Sequence, residues 1–258
     1  MSTGRLFLVP NTLDFGMAGQ EVSLREVLPD AVIARAASLS HWVAENAKTT
    51  RAFLKRVDAL QPLTQPLQQL QIVELPRPAK GSRGTPPGQD STAWLQLLEP
   101  ALQGQDMGLI SEAGMPAVAD PGAQLVAAAH AAGIAVVPLV GPSALLLAVA
   151  ASGLNGQSFA FVGYAPVEAA ARQARLRELE AWSAREQQTQ LLIETPYRNS
   201  ALLEALLQQL KPGTLLSVSC GLSLADAWTH SATVAQWRKN PKALPDKVPA
   251  VFALLGAR

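Results

Sequence analysis

Short apolar runs that favour extended backbone alternate, from one end of this sequence to the other, with longer stretches of helical periodicity. A strand that returns parallel to its neighbour needs a long crossover, usually a helix, so this alternation specifies helices layered on sheets, an α/β fold. Strands are predicted at residues 5–9 (RLFLV), 72–75, 107–111, 134–139, 159–162, 191–194, 215–219, 228–234 and 251–255. Between them, helices are predicted around 30–40, from Ser40 through Val57, at 91–99, through Ala132, and at 143–152, 167–187 and 198–210. At about 150 residues per domain, the 258 residues make one large or two modest domains. The division expected is 1–141 and 142–258, while composition alone makes the shift at 152–157 (SGLNGQ) the best candidate for a boundary.

Composition narrows the partners. Lys and Arg number 21 against 20 Asp and Glu, so the basic excess that usually supplies nucleic-acid affinity is missing overall, and any such contact must come from a local patch. Residues 76–90 (PRPAKGSRGTPPGQD) read as a long basic loop, because their Pro and Gly interrupt both helix and sheet. One Cys forms no internal disulfide, and three dispersed His show no ligand spacing, so no metal site is expected. The longest apolar segment, 144–151, is short of the ~20 residues of a membrane span, and the first residues lack the pattern of a secretion signal. These features predict a cytoplasmic protein.

Chemistry is concentrated in two loops. The first strand is followed by VPNTLDFG rather than G-x-G-x-x-G, and neither G-x-x-x-x-G-K-[ST] nor G-x-S-x-G occurs. Cys220 has no His near it in sequence and reads as a buried apolar residue. What remains is SEAGMPAVADPG, residues 111–122, and LVGPSA, residues 139–144, each between a strand and a helix. Open α/β sheets bind ligands at the carboxyl ends of their strands. Two readings stay open, a ligand site built without phosphate-binding glycines or a pair of shaped turns, with Ser143 an ordinary helix cap.

The runs LISEAGMPAVADPGAQLV, GIAVVPLVGPSALLLAVAASGL and FAFVGYAP resemble the tetrapyrrole-methylase-like (class III) S-adenosylmethionine-dependent methyltransferases, and within them the branch that methylates a cytidine ribose 2′-hydroxyl of small-subunit ribosomal RNA. The resemblance implies two α/β domains with S-adenosylmethionine in the cleft between them, a homodimer, and no metal. It assigns donor binding to Gly114, Met115, Pro116 and Val118 of the first loop, Ser143 and Ala144 of the second, Glu194 after LLI, and Leu222 after SVSCG. Residues 10–13, with Pro10 and Asn11, would then close over the substrate side. Departures lie on that side: VPNTLDFGMAG stands where V-P-T-P-I-G-N-L-x-D is usual, and AENAKTTRAFL where C-E-D-T-R is usual. A tetrapyrrole or other small molecule is therefore a second possible acceptor, and a donor-binding paralogue without turnover a third reading.

Individual side chains carry competing readings. Glu45 is the nominee for deprotonating the acceptor. With Lys48 and Arg51 it would lie on one helix, either as acceptor contacts or as a solvated ion-pair face. Lys80 and Arg83 of the basic loop would meet an RNA backbone or remain solvated. Glu194 would hold a donor hydroxyl, act as a weak base, or face a helix N-terminus. Arg172, Arg175 and Arg177 with Glu168, Glu178 and Glu180 read as a solvent-facing helix laced with pairs.

Overall fold

In the computed structural model, which describes residues 3–15, 21–76 and 91–257, the chain divides into two compact units, 1–142 and 143–258. In the first unit the elements run β1 (Arg5–Leu8), α1 (Leu24–Val27), α2 (Asp30–Ser38), β2 (His41–Ala44), α3 (Ala47–Asp58), β3 (Gln71–Glu74), α4 (Ser91–Leu97), α5 (Glu99–Leu102), β4 (Met107–Ile110), α6 (Ala123–Ala131) and β5 (Ala135–Pro138). The sheet order is β3-β2-β4-β1-β5, and every pairing is parallel. All carboxyl ends therefore share one edge.

Both faces of this sheet are covered, which explains its continuous apolar runs. Phe7, Trp42 and Ile110 pack on one side with Val32, Ile33, Phe53 and Leu54 from α2 and α3. Leu6, Val43 and Leu109, one residue out of phase, pack on the other with Leu98 and, from α6, Leu125 and Ala129. The buried Trp42 indole donates to Leu39 O at 3.2 Å, which satisfies its only polar group.

Here the helix expected from Ser40 is replaced by a strand and a later helix. Trp42, Val43 and Ala44 are each buried because they alternate between two covered faces, a pattern that imitates a helix over so short a run. The helix starts only at Ala47, where Asn46 Oδ1 accepts from the amides of Lys48 and Thr49 at 2.9 and 3.3 Å.

The second unit comprises α7 (Ala144–Ser152), β6 (Phe159–Tyr164), α8 (Ala169–Glu186), β7 (Thr189–Ile193), α9 (Asn199–Gln209), β8 (Leu215–Cys220), β9 (Trp228–Thr233), α10 (Val234–Lys239) and β10 (Ala250–Leu255). Its sheet, β6-β7-β10-β8-β9, is mixed, with β10 antiparallel to both β7 and β8. Leu176 and Leu179 of α8, Leu202 and Leu206 of α9 and Trp237 of α10 bury one face. On the other face Leu145, Ala148 and Val149 of α7 pack against Leu191, Val251 and Ala253. The SGLNGQ segment thus lies inside this unit, since α7, which precedes it, packs on the same sheet.

Two further expectations change. The capped helix α10 was not foreseen, although Thr233 and Gln236 form a complete capping box. Glu180 belongs to no solvent face: it is buried and accepts from the Lys211 amide and the Thr214 hydroxyl. Its neighbours do face water, with Glu168 capping α8 and Arg175 paired to Glu178 at 2.7 Å. Cys220 is buried, and burial pushes its thiol up from the ordinary range. Among the described residues no helix is long and apolar enough to cross a membrane.

Candidate active site

In the first unit, three loops meet at the carboxyl ends of the neighbouring strands β4, β1 and β5. Asn11 and Gly114 form a two-way backbone bridge, Asn11 N to Gly114 O at 2.9 Å and Gly114 N to Asn11 O at 3.2 Å. The Asn11 amide donates further to Ser111 O at 3.2 Å and Glu112 O at 3.0 Å. Gly114 has φ +64°, a conformation that side chains rarely adopt, and its backbone turns beside Leu13 and Pro142 O. The third loop closes in at Gly141, where a Cβ would stand 2.3 Å from the Pro10 ring. Pro10 and Asn11 are therefore buried parts of the scaffold.

The loop from β1 is anchored on its far side by a charge. Asp14, essentially buried, accepts from Thr12 Oγ1 at 2.8 Å and from Val22 N at 3.1 Å. Arg56 of α3 donates to Asp14 Oδ2 at 3.2 Å and to Val22 O at 2.5 Å. This network was not legible in the sequence.

The loop after β4 carries backbone strain. Ala117 and Ala119 both have φ +65°, which costs about 1–2 kcal/mol per non-glycine residue. Between them Val118 is 45% exposed, Met115 is half-buried and Pro116 is buried. An apolar side chain held outward on a strained loop fits a wall for a ligand better than a simple turn.

Behind this loop three carboxylates gather. Glu45 sits at the end of β2, before α3, so it does not share a helix with Lys48 and Arg51, both exposed on α3. Its Oε2 accepts from the Glu112 amide at 3.0 Å. Burial raises the Glu45 carboxyl above its ordinary range, offset by that amide and reinforced by the Glu112 charge. Asp120 is pushed up to about 7, first by burial, then by the charges of Glu45 and Glu112, with the Ser111 hydroxyl acting the other way. No Lys or Arg among the described residues forms an ion pair with any of the three. Glu112 and Asp120 belong to the motif quoted above, yet sequence reasoning assigned them no role. The signal was available, an acidic residue just beyond each of two strands.

In the second unit, Ser143, Ala144, Glu194 and Leu222 come to one edge of the sheet. Strands β7 and β8 both run antiparallel to β10, so their carboxyl ends, at Glu194 and Gly221, lie on the same side. Ala144, Ile193 and Leu222 each pack against the buried cluster formed by α7 and the sheet. Ser143 occupies the N-cap position of α7 but makes no side-chain cap bond, so capping does not account for its hydroxyl. Ser223, at φ +70°, presents a buried Oγ without a partner beside Leu222. Glu194 is committed in part: its Oε1 accepts from Thr195 N at 2.7 Å and from Arg198 at 2.6 Å. That pairing suits a fixed binding group more than a base. Lys80 and Arg83 lie outside the described residues.

Comparison with known proteins adds an independent line. A family model described as Tetrapyrrole (Corrin/Porphyrin) Methylases matches residues 31–236. The ribosomal RNA small subunit methyltransferase I of Vibrio cholerae is 39% identical over 114 residues, 44% of this chain and 38% of that protein. Its counterpart from Mesorhizobium japonicum is 46% identical over 111 residues, 43% of this chain and 36% of that protein. The match thus spans less than two fifths of either relative. Among solved structures, the methyltransferase CobJ superposes with a TM-score of 0.56 at 17% identity, covering 99% of this chain and 95% of that one. Uroporphyrin-III-C-methyltransferase from Thermus thermophilus gives 0.50 at 17% identity, covering 98% and 92%. At such identity these two establish the fold alone. With the signature running across most of its length, the chain belongs to the tetrapyrrole (corrin/porphyrin) methylase family.

Proposed function

We propose that this chain is an S-adenosylmethionine-dependent methyltransferase acting on a ribose 2′-hydroxyl of small-subunit ribosomal RNA, and that it works as a homodimer. The observation that carries the reading is the meeting of the β1, β4 and β5 loops at one sheet edge without a glycine-rich phosphate cradle. A sulfonium donor has no phosphate, so backbone amides, apolar walls and a few polar groups suffice to hold it. The donor supplies an electrophilic methyl group. Gly114, Met115, Pro116 and Val118 would form one wall for it. Ser143, Ala144, Glu194 and Leu222 would supply a hydroxyl, apolar contact and a fixed carboxylate.

Such a site needs alignment and exclusion of water more than titrating machinery. Lys48 and Arg51, exposed on α3, and Lys80 and Arg83 would meet the RNA backbone. The names of the curated relatives support the RNA acceptor. A small-molecule acceptor has its own support, the description of the family itself together with a net charge of only +1.

Saturating S-adenosylmethionine is expected to raise the melting temperature, since a ligand at about 100 times its Kd adds about 2.7 kcal/mol. Ser143→Asp places a residue favoured at helix N-caps at the head of α7 but sets a charge where the donor would pack, so it should fold and lose most of that shift. A normal shift in this variant would remove the GPSA loop from the site. Labelled donor offered to purified 30S particles and to a tetrapyrrole panel separates the two acceptors. Donor binding with transfer to neither identifies the non-catalytic paralogue.

A further inference from the structure

We infer that Tyr164 and Tyr197 form an open stacking platform for unpaired nucleobases of the acceptor RNA, on the sheet edge that carries Glu194. The inference deepens the RNA methyltransferase reading and rests on it.

The placement comes from the second sheet. β6 runs parallel to β7, so the carboxyl end of β6 shares the edge where Glu194 and Leu222 lie. Tyr164 closes β6 opposite Ile193, the residue before Glu194, and Tyr197 follows Glu194 by three positions. These are the only two tyrosines of the sequence, and neither lies in a core: they are 54% and 73% exposed, and Val167, which follows β6, is 69% exposed. Single exposed apolar side chains are ordinary, but several gathered at one edge mark an interaction site.

Both rings are presented by built features. From Phe161 to Tyr164 β6 takes three steps where β7 takes two, Leu191 to Ile193. The extra residue makes a bulge, with Gly163 inside it at φ +76°, and bulges of this kind re-aim a side chain. Beyond it Ala165 is buried, and Arg172 Nη1 donates to Val167 O at 3.1 Å, which ties the end of β6 to α8. Tyr197 sits on a single turn, Pro196–Arg198. That turn is clamped at both ends, since Glu194 Oε1 accepts from Thr195 N at 2.7 Å and from Arg198 Nη2 at 2.6 Å. Support fixed before binding lowers the ordering cost of recognition.

Chemistry selects the occupant. Aromatic side chains hold single-stranded bases by stacking, which every base accepts because each has a π-face. With a net charge of only +1, the chain lacks the broad basic surface that gives affinity through phosphates, and stacking supplies affinity without it. Arg172 adds one positive charge to the same loop. A small-molecule acceptor is held in a pocket that buries most of its surface, whereas rings this exposed offer one open face, as a single strand requires.

Two readouts on the full chain test this. A short single-stranded RNA carrying 2-aminopurine should lose fluorescence on binding the wild type, as its base stacks. Tyr164→Ala and Tyr197→Ala should each weaken that binding about 10-fold, the scale of one base stack. In transfer of labelled methyl to 30S particles, each should raise KM by a similar factor with kcat little changed, the mark of lost binding, and leave the donor-induced thermal shift intact. Tyr→Phe at either position should restore both readouts, because the ring stacks without its hydroxyl, and Tyr→Leu should not. Wild-type KM in both Ala variants, or rescue by Leu as good as by Phe, overturns the inference while the RNA methyltransferase reading stands. An Ala variant that sediments as a smaller species than the wild type makes this edge a contact between copies and also overturns it. Transfer by the wild type to a tetrapyrrole and not to 30S particles overturns the RNA reading, and the base platform with it.

Discussion

Gly141→Ala is expected to destabilise the chain by about 2–3 kcal/mol and to cost about 100-fold in methyl transfer. A Cβ at this position would stand 2.3 Å from both Cβ and Cγ of Pro10 and 3.3 Å from Leu28 Cδ2. The Pro10 ring is closed and buried and cannot rotate away, so the backbone of one loop must shift. Overpacking of this kind costs about 1–3 kcal/mol. A displacement near 1 Å at a reacting site costs on the order of 100-fold. Gly213→Ala is the control, because its Cβ would make ordinary contact with Ala257 at 3.6 Å. Urea denaturation and single-turnover transfer read the two effects separately. A near-neutral Gly141→Ala would show that the β1 and β5 loops do not depend on one another.

The second large effect is expected at Arg56. Arg56→Met keeps the aliphatic stem but removes an ionic partner of Asp14, whose side chain is 1% exposed. It also removes the donors to Val22 O and Thr12 Oγ1. Breaking a buried ion pair costs about 3–5 kcal/mol. Because Arg56 is itself 26% exposed and Asp14 keeps Thr12 Oγ1 and Val22 N, about 2–3 kcal/mol is expected. Transfer should fall as well, since the loop that carries Asn11 would lose its anchor on α3. Arg56→Lys should recover part of the stability. A loss below about 0.5 kcal/mol, the level of an exposed pair, would mean that the bridge is not what fixes the loop.

The layering of helices on sheets was legible because most strands are short apolar runs, the first closed by Pro10, and the longer helices have their own period. The exception is instructive. In β2 the residues Trp42, Val43 and Ala44 face two covered sides in turn, so they lack the polar alternation that marks a half-buried strand, and the run merges with the genuine periodicity of α3. Only Asn46, a good cap, signals the break.

The loops of the candidate site were found by motif, but what joins them was not. Asn11 and Gly114 meet only because β1 and β4 pair. Glu45 and Glu112, 67 residues apart, are neighbours only through the pairing of β2 with β4. Glu180 seemed an ordinary charge on a charged helix, because its partners Lys211 and Thr214 lie more than 30 residues away. Spacing along one helix is readable in sequence, and register between strands is not.

The most direct measurement is a crystal structure of the full chain with S-adenosylhomocysteine. Density for the nucleoside thioether is expected against Gly114, Met115 and Val118 of the β4 loop and against Ser143 and Ala144 at the start of α7. Density elsewhere on the chain, with those loops unchanged and bare at a saturating concentration, would contradict the account.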